Sequence, residues 1–212
     1  MKKSASKSKT SSKKITGFTV VISSPSGGGK TTIVDRLLRR HPDWLRSISA
    51  TTRAPRDGEV PEKDYFFVSS STFRRMQEHG EFLEHAKVVD HHYGTPKRFV
   101  VEQCAEGRVM ILTLDIQGMK SLQKALKDEI PLLTIFILPP SLKELRKRLE
   151  GRKTESAEMI EKRLNLAAEE IKAAGLYDAA VVNRDLEHTV LEIEKIIEHF
   201  QKTRRHQLTN WC

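Results

Sequence analysis

Ten consecutive residues, Ser23 to Thr32, read SSPSGGGKTT. Their types suit the cradling of phosphate. Three glycines let backbone N–H groups point inward, and a helix starting there adds partial positive charge. Lys30 can reach the outer phosphates of a triphosphate such as ATP, and the Thr31 hydroxyl suits Mg²⁺. The spacing approaches the pattern G-x-x-x-x-G-K-[ST], with Ser24 at the first glycine position. Because the donors nearest a phosphate come from residues 27 to 31, serine at 24 is expected to be tolerated. The expected triphosphate loop is Ser24, Pro25, Ser26, Gly27, Gly28, Gly29, Lys30, Thr31 and Thr32.

A second phosphate-binding combination lies in SATTRAPRDGEVPEKDYFF. Arg53 and Arg56 stand three apart with Tyr65 nearby, and two guanidinium forks plus a phenol suit the dianionic oxygens of a phosphomonoester. Asp115 closes the apolar run RVMILTLD. An acid there either stands near the metal of a phosphate loop or caps the next helix, and the residues alone leave both open.

These groups need elements to hold them. FTVVIS (18–23), RVMILTL (108–114) and LLTIFIL (132–138) are short apolar, β-rich runs of the buried-strand type, alternating with helical patterns. Ile33, Leu37 and Leu38 stripe the first helix. Ser141 and Glu144 form a capping box before Leu142, Leu145 and Leu149. Met159, Ile160, Leu164 and Ile171 mark another helix, a last strand falls near residues 179–182, and Val190, Ile193, Ile197 and Phe200 stripe a closing helix. Alternation of this kind predicts a parallel sheet covered on both faces. The fold class expected is α/β: a three-layer core of P-loop NTPase type with a parallel sheet, an inserted mixed-sheet lobe and a helical lid. Its expected segments are a basic tail over 1–16, a core over 17–48, 97–140 and 175–205, the lobe over 49–96, the lid over 141–174 and a C-terminal tail over 206–212.

Composition narrows the function classes. The chain has 212 residues, 38% hydrophobic, enough to bury a core. Its net charge of +9 is concentrated in MKKSASKSKTSSKK; without the six lysines there, 31 basic residues face 28 acidic ones. That leaves the body near +3, so nucleic acid is not an expected partner, and the tail reads as solvated and disordered. No apolar run approaches the ~20 residues of a membrane helix, so no membrane partner is expected. Two cysteines without paired spacing fit a reducing cytoplasm. His91 and His92, adjacent on an extended segment, point to opposite faces and read as packing residues rather than metal ligands. Oligomeric state is left open.

SSPSGGGKTT, ATTRAPRDGE, KDYFFV, EFLEHAKVVDHHYGT, LDIQG and RLEGRKTE occur in the order and approximate spacing of guanylate kinases, which the chain resembles from about Gly17 to Phe200. The resemblance implies transfer of a phosphoryl group from ATP to GMP, with dGMP as a related acceptor and Mg²⁺ as cofactor, and serving purine nucleotide metabolism. It implies that Arg53, Arg56, Tyr65 and Tyr93 hold the GMP phosphate and that Ser49, Glu84 and Thr95 line the guanine. Guanine offers donors at N1 and N2 and an acceptor at O6, so a carboxylate can take both donors while a hydroxyl serves O6; adenine presents the opposite edge. By the same resemblance Asp115 contacts the guanine or, through water, the metal held by Thr31. Arg152 and Arg163 are lid residues closing over ATP, with Arg148 as a helper, and Asn183 falls near the adenine. Lys30, Arg53, Arg152 and Arg163 carry the catalysis. Three positions depart from the family pattern: Ser24, Thr113 where many relatives have a second acid, and Lys153 after the lid arginine. Against this reading stand a non-catalytic interaction module of the same fold, a kinase for another phosphorylated metabolite such as a ribose phosphate, and nucleic-acid binding by the tail.

Overall fold

The computed structural model describes residues 15–88, 90–126, 129–151 and 156–209, and for 205–209 only the helical backbone. Arg152, Lys153 and the basic segment through Lys14 lie outside the described residues. The principal sheet has five parallel strands: β1 (Phe18–Ser23), β2 (Leu45–Arg46), β7 (Val109–Thr113), β8 (Leu132–Leu138) and β9 (Ala179–Val182), in the order β2-β7-β1-β8-β9.

Every residue of β1 is buried, as a strand covered on both faces requires. Side chains alternate between those faces. Phe18, Val20 and Ile22 join Ile33, Val34 and Leu37 of α1 (Lys30–Arg40) and Val190, Ile193 and Ile197 of α7 (Leu186–Thr209). Val21 and its neighbours Met110 and Leu112 pack instead with Val100 and Cys104 of α3 (Lys97–Ala105) and Met119 and Leu122 of α4 (Ile116–Leu126). The three-layer α/β core expected from the alternation is therefore present. Three strands match their expected limits; β7 is one residue shorter at each end, and the two-residue edge strand β2 carries no sequence signal of its own. The closing helix runs on to Thr209, beyond the expected core limit at 205, because nothing from 206 to 209 breaks it.

A second sheet, ordered β4-β3-β6-β5, is mixed: β3 (Ala50–Thr51) pairs parallel with β4 (Phe66–Phe67) and antiparallel with β6 (His91–Pro96), which pairs antiparallel with β5 (Phe82–Val88). The helix α2 (Ser70–Glu78) covers it, with buried Phe73 stacked 4.6 Å from Phe82. His92 lies 5.4 Å from Phe73 and serves as packing.

The remaining pair, α5 (Leu142–Glu150) and α6 (Ala157–Lys172), has its own small apolar cluster: Leu145, Leu149, Ile160, Leu164 and Ala167. Ser141 caps α5 by accepting from the Glu144 N–H, as expected. Leu142 and Met159, however, are exposed rather than part of the stripes assigned to them. Each sits in the first turn of its helix, ahead of the positions that face the partner helix. A 3₁₀ turn, Ala173–Leu176, returns the chain to β9.

Candidate active site

β1 is the central strand, with β7 on one side and β8 on the other, and the loop leaving its carboxyl end opens at the crevice where α/β sheets bind ligands. Gly27 and Gly29 take positive φ, +85° and +96°, a region L-residues avoid, whereas Ser24 does not. The left-handed demand thus falls on two glycines the sequence supplies. Gly29 stands directly before α1, whose first residues are Lys30 and Thr31.

Asn183, at the end of β9, is 6% exposed and donates from Nδ2 to the Gly28 carbonyl at 2.9 Å, while its Oδ1 accepts from Thr189. Its side chain braces the loop from behind and lines neither cavity described below. Arg148 bonds the Asn183 carbonyl at 3.0 Å, tying α5 to the same point. Arg163 of α6 donates to the Ser26 hydroxyl.

Two cavities meet here. One, of about 390 Å³, is lined by residues 24–32 with Arg56, Tyr65, Asp115 and Glu170. The other, of about 230 Å³, is lined by Lys30, Ser49, Tyr65, Glu84, Ala86, Val88, Tyr93, Thr113, Leu114, Asp115 and Gly118. Lys30, Tyr65 and Asp115 border both. Burial pulls the Lys30 ammonium below the ordinary lysine range, opposed by the charges of Asp115 and Glu170.

In the smaller cavity Glu84 is 7% exposed, and burial lifts its carboxyl to about 7. Glu84 and Thr95 are cross-strand partners on β5 and β6, so both point to one face. The buried Thr95 hydroxyl donates a hydrogen bond to Glu84 Oε1 at 2.6 Å. Thr95 therefore stands behind Glu84 instead of on the cavity wall, where the hydroxyls are those of Ser49, Tyr65, Tyr93 and Thr113. Asp115 takes the capping role that the residues alone left open. Its Oδ1 accepts the Gly118 N–H at 2.7 Å, capping α4, while the residue lines both cavities.

Arg53 is 11% exposed at its side chain and is held from three sides. Nη2 reaches Glu59 at 2.8 Å, Nη1 the Ala54 carbonyl at 2.7 Å and Nε the Tyr93 hydroxyl at 3.2 Å. Its guanidinium also stacks over Tyr65 and Phe67. The Glu59 hydrogen bond raises the Arg53 pKa, and Arg53 in turn lowers that of Glu59. The other Glu59 oxygen accepts the Arg56 N–H at 2.8 Å, joining the two arginines.

Three participants escaped the sequence reading. Glu59 was legible in principle, since R-x-x-R-x-x-E repeats one spacing through the loop. Gly118 lies so near Asp115 and Glu84 that a Cβ there would come within 3.2 Å and 3.4 Å of their oxygens. Glu170 was hidden among the alternating charges of α6, where no local pattern separates it from solvated neighbours.

A parallel sheet in this order, with a glycine-rich loop between its central strand and a helix opening on Lys-Thr, defines a P-loop NTPase-type nucleotide kinase. The guanylate kinase family model matches residues 16–200. A guanylate kinase from Caldanaerobacter subterraneus subsp. tengcongensis is 48% identical over 181 residues, covering 85% of this chain and 86% of that protein. Another, from Trichodesmium erythraeum, is 46% identical over 187 residues, covering 88% and 99%. The crystal structure of guanylate kinase from Anaplasma phagocytophilum superposes with a TM-score of 0.73 at 34% identity, covering 89% of this chain and 88% of that one. The chain belongs to the guanylate kinase family, the ATP:GMP phosphotransferases.

Proposed function

We propose that this chain transfers the γ-phosphoryl group of ATP to the phosphate of GMP, giving ADP and GDP, with the larger cavity holding the donor phosphates and the smaller one the guanine. The observation carrying this reading is that the cavities join at Lys30, Tyr65 and Asp115, so that two nucleotides would meet end to end. Residues 24–32 donate backbone N–H groups to the triphosphate, and Lys30 takes its outer oxygens. Arg53, Arg56, Tyr65 and Tyr93 aim the acceptor phosphate. Ionised Glu84 accepts from guanine N1 and N2, and Ser49 donates to O6. Arg163 seats the lid on Ser26, and Arg152, outside the described residues, is assigned to the ATP phosphates by family resemblance alone. Asn183 acts on ATP through the Gly28 carbonyl.

The donor set fits a divalent cation, because the Thr31 hydroxyl and the second Asp115 oxygen are hard oxygen ligands beside a phosphate loop. These residues would hold Mg²⁺, which when bound neutralises charge on the β- and γ-phosphate oxygens. The acceptor phosphate is already anionic near neutral pH, so no side chain need act as a general base. Lid and lobe exclude water while both nucleotides are seated. The reading places the chain in purine nucleotide metabolism and GMP recycling; a free, buried Cys104 suits the reducing cytoplasm.

The test is ADP release from Mg·ATP with GMP, AMP, CMP, UMP or no acceptor, with Lys30→Ala as control. Because a site built on hydrogen bonds leaves polar groups unpaired around the wrong base, GMP is expected to lead by up to ~10⁴-fold in kcat/KM. Lys30→Ala is expected to lose at least ~10²-fold. Equal turnover with AMP would overturn the guanine site, and silence with every acceptor would favour a non-catalytic interaction module.

A further inference from the structure

Glu170 presents a carboxylate to a pocket otherwise suited to a polyanion. It projects from α6 into the larger cavity beside Lys30, Thr31 and Asp115. Its Oε2 is buried and has no hydrogen-bond partner. A carboxylate oxygen in that condition is costly, and a charged residue on a lid helix would ordinarily turn to water. Glu170 is electrostatically coupled to both Lys30 and Asp115.

The helix explains how it gets there. Arg163 and Glu170 are seven residues apart, close to two turns, so both project from one side of α6, separated by about 10 Å along its axis. Arg163 meets the start of the loop at Ser26, and Glu170 lines the same cavity as its end at Lys30 and Thr31. Ile160, Leu164 and Ala167 pack against α5 and fix the rotation of the helix. One helix thus brings a positive group and a negative group to the two ends of the phosphate loop.

With phosphates in the cavity, Lys30 turns to them and two carboxylates would confront a polyanion. A further cation between them would make that arrangement favourable. We propose that Glu170 is a positioning residue for the divalent cation that accompanies the nucleotide. Its free oxygen takes hydrogen bonds from the cation's water shell, so that cation binding and seating of α6 reinforce each other. This rests on the donor-site reading above and extends it to a residue of the lid. Mg²⁺ keeps several waters when bound, and outer groups that orient such a shell typically alter metal affinity 10–100-fold.

The experiment is calorimetric titration of the full chain with ADP in EDTA and with ADP in excess Mg²⁺, for the wild type and Glu170→Gln. The wild type is expected to bind Mg·ADP more tightly than metal-free ADP. Glu170→Gln should bind metal-free ADP at least as well, since a like charge is gone, and should lose roughly tenfold or more in the ratio of the two affinities. Mn²⁺ titration of the ADP complex, followed by electron paramagnetic resonance, should show the same loss. An unchanged ratio, or a parallel fall of both affinities, would overturn the proposal and leave Glu170 a counter-charge for Lys30 or a scaffold residue. A wild type with no metal preference would overturn it as well. Should Glu170→Gln not fold, Glu170→Asp, with its shorter reach, is held to the same ratio. If the wild type bound neither form of ADP and released none with GMP, the donor-site reading itself would fail, which is a distinguishable result.

Discussion

Glu84 combines burial, a hydroxyl partner and a place on the wall of the smaller cavity. Its carboxyl is lifted to about 7, chiefly by burial and further by the charge of Asp115. Two donors on guanine require it ionised, so the proton must leave before GMP binds. GMP affinity is therefore expected to be flat above about pH 7 and to fall about tenfold per unit below it, as competition calorimetry across pH would show. Folding stability has the opposite slope. A carboxyl raised in the folded state favours the protonated protein, so this contribution is complete below the unfolded value and is lost as pH rises through about 7. Glu84→Gln removes both dependences and is expected to cost about 10²-fold in kcat/KM for GMP while leaving the KM for ATP near wild type.

The loop before α1 works because two elements meet at one glycine. Gly29 has φ +96°, and a Cβ there would lie 2.5 Å from Asn183 Nδ2. Gly29→Ala thus strains the backbone and displaces the brace from β9 at once. Left-handed geometry costs an L-residue about 1–2 kcal/mol, and the brace is worth about 1 kcal/mol more. The expected result is a loss of at least about tenfold in ATP affinity with a smaller effect on GMP, since Gly29 lines only the donor cavity and Lys30 alone of α1 borders the other. Equal weakening of both nucleotides would show that the loop supports the whole cleft. The α5 and α6 pair acts at this same scale: its separate apolar cluster lets it hold its own shape while it contacts the loop through Ser26.

Across the whole molecule, the site depends on a core that places the ends of five strands in register. Ile111, fully buried in β7, packs in the layer formed with α1 and α7, away from both cavities. Ile111→Ala is expected to cost about 2–5 kcal/mol and lower the Tm by roughly 5–15 °C. At low temperature both KM values should be unaltered, which calorimetry and ADP-release kinetics would check together. The second sheet joins this core through β5, which lies against α4, and there Gly118 allows Glu84 and Asp115 to approach one helix end.

Local physics made much of this protein legible in its residues. Apolar runs with β-branched side chains marked β1 and β8, because a strand buried on both faces must be largely apolar; the edge strand β9, with Ala180 exposed, was marked only by its short Ala-Val run. Gly27 and Gly29 with Lys30 and Thr31 marked the loop, because positive φ and inward N–H groups need those types in sequence. Other features arose only where distant segments met. Thr95 steps behind Glu84 because β5 and β6 pair them, which no neighbour in the chain announces. Asn183 became a brace 155 positions from Gly28, and Arg163 reaches Ser26 across 137 positions. Glu170 looks like any solvated charge until α6 is packed on α5 and turned toward the loop. Sequence determines which residues can bind phosphate and which segments can be buried, since both follow from side-chain chemistry and short-range periodicity. Which charge faces water and which faces a substrate is decided by long-range packing, because burial and Coulombic neighbours are properties of the assembled fold.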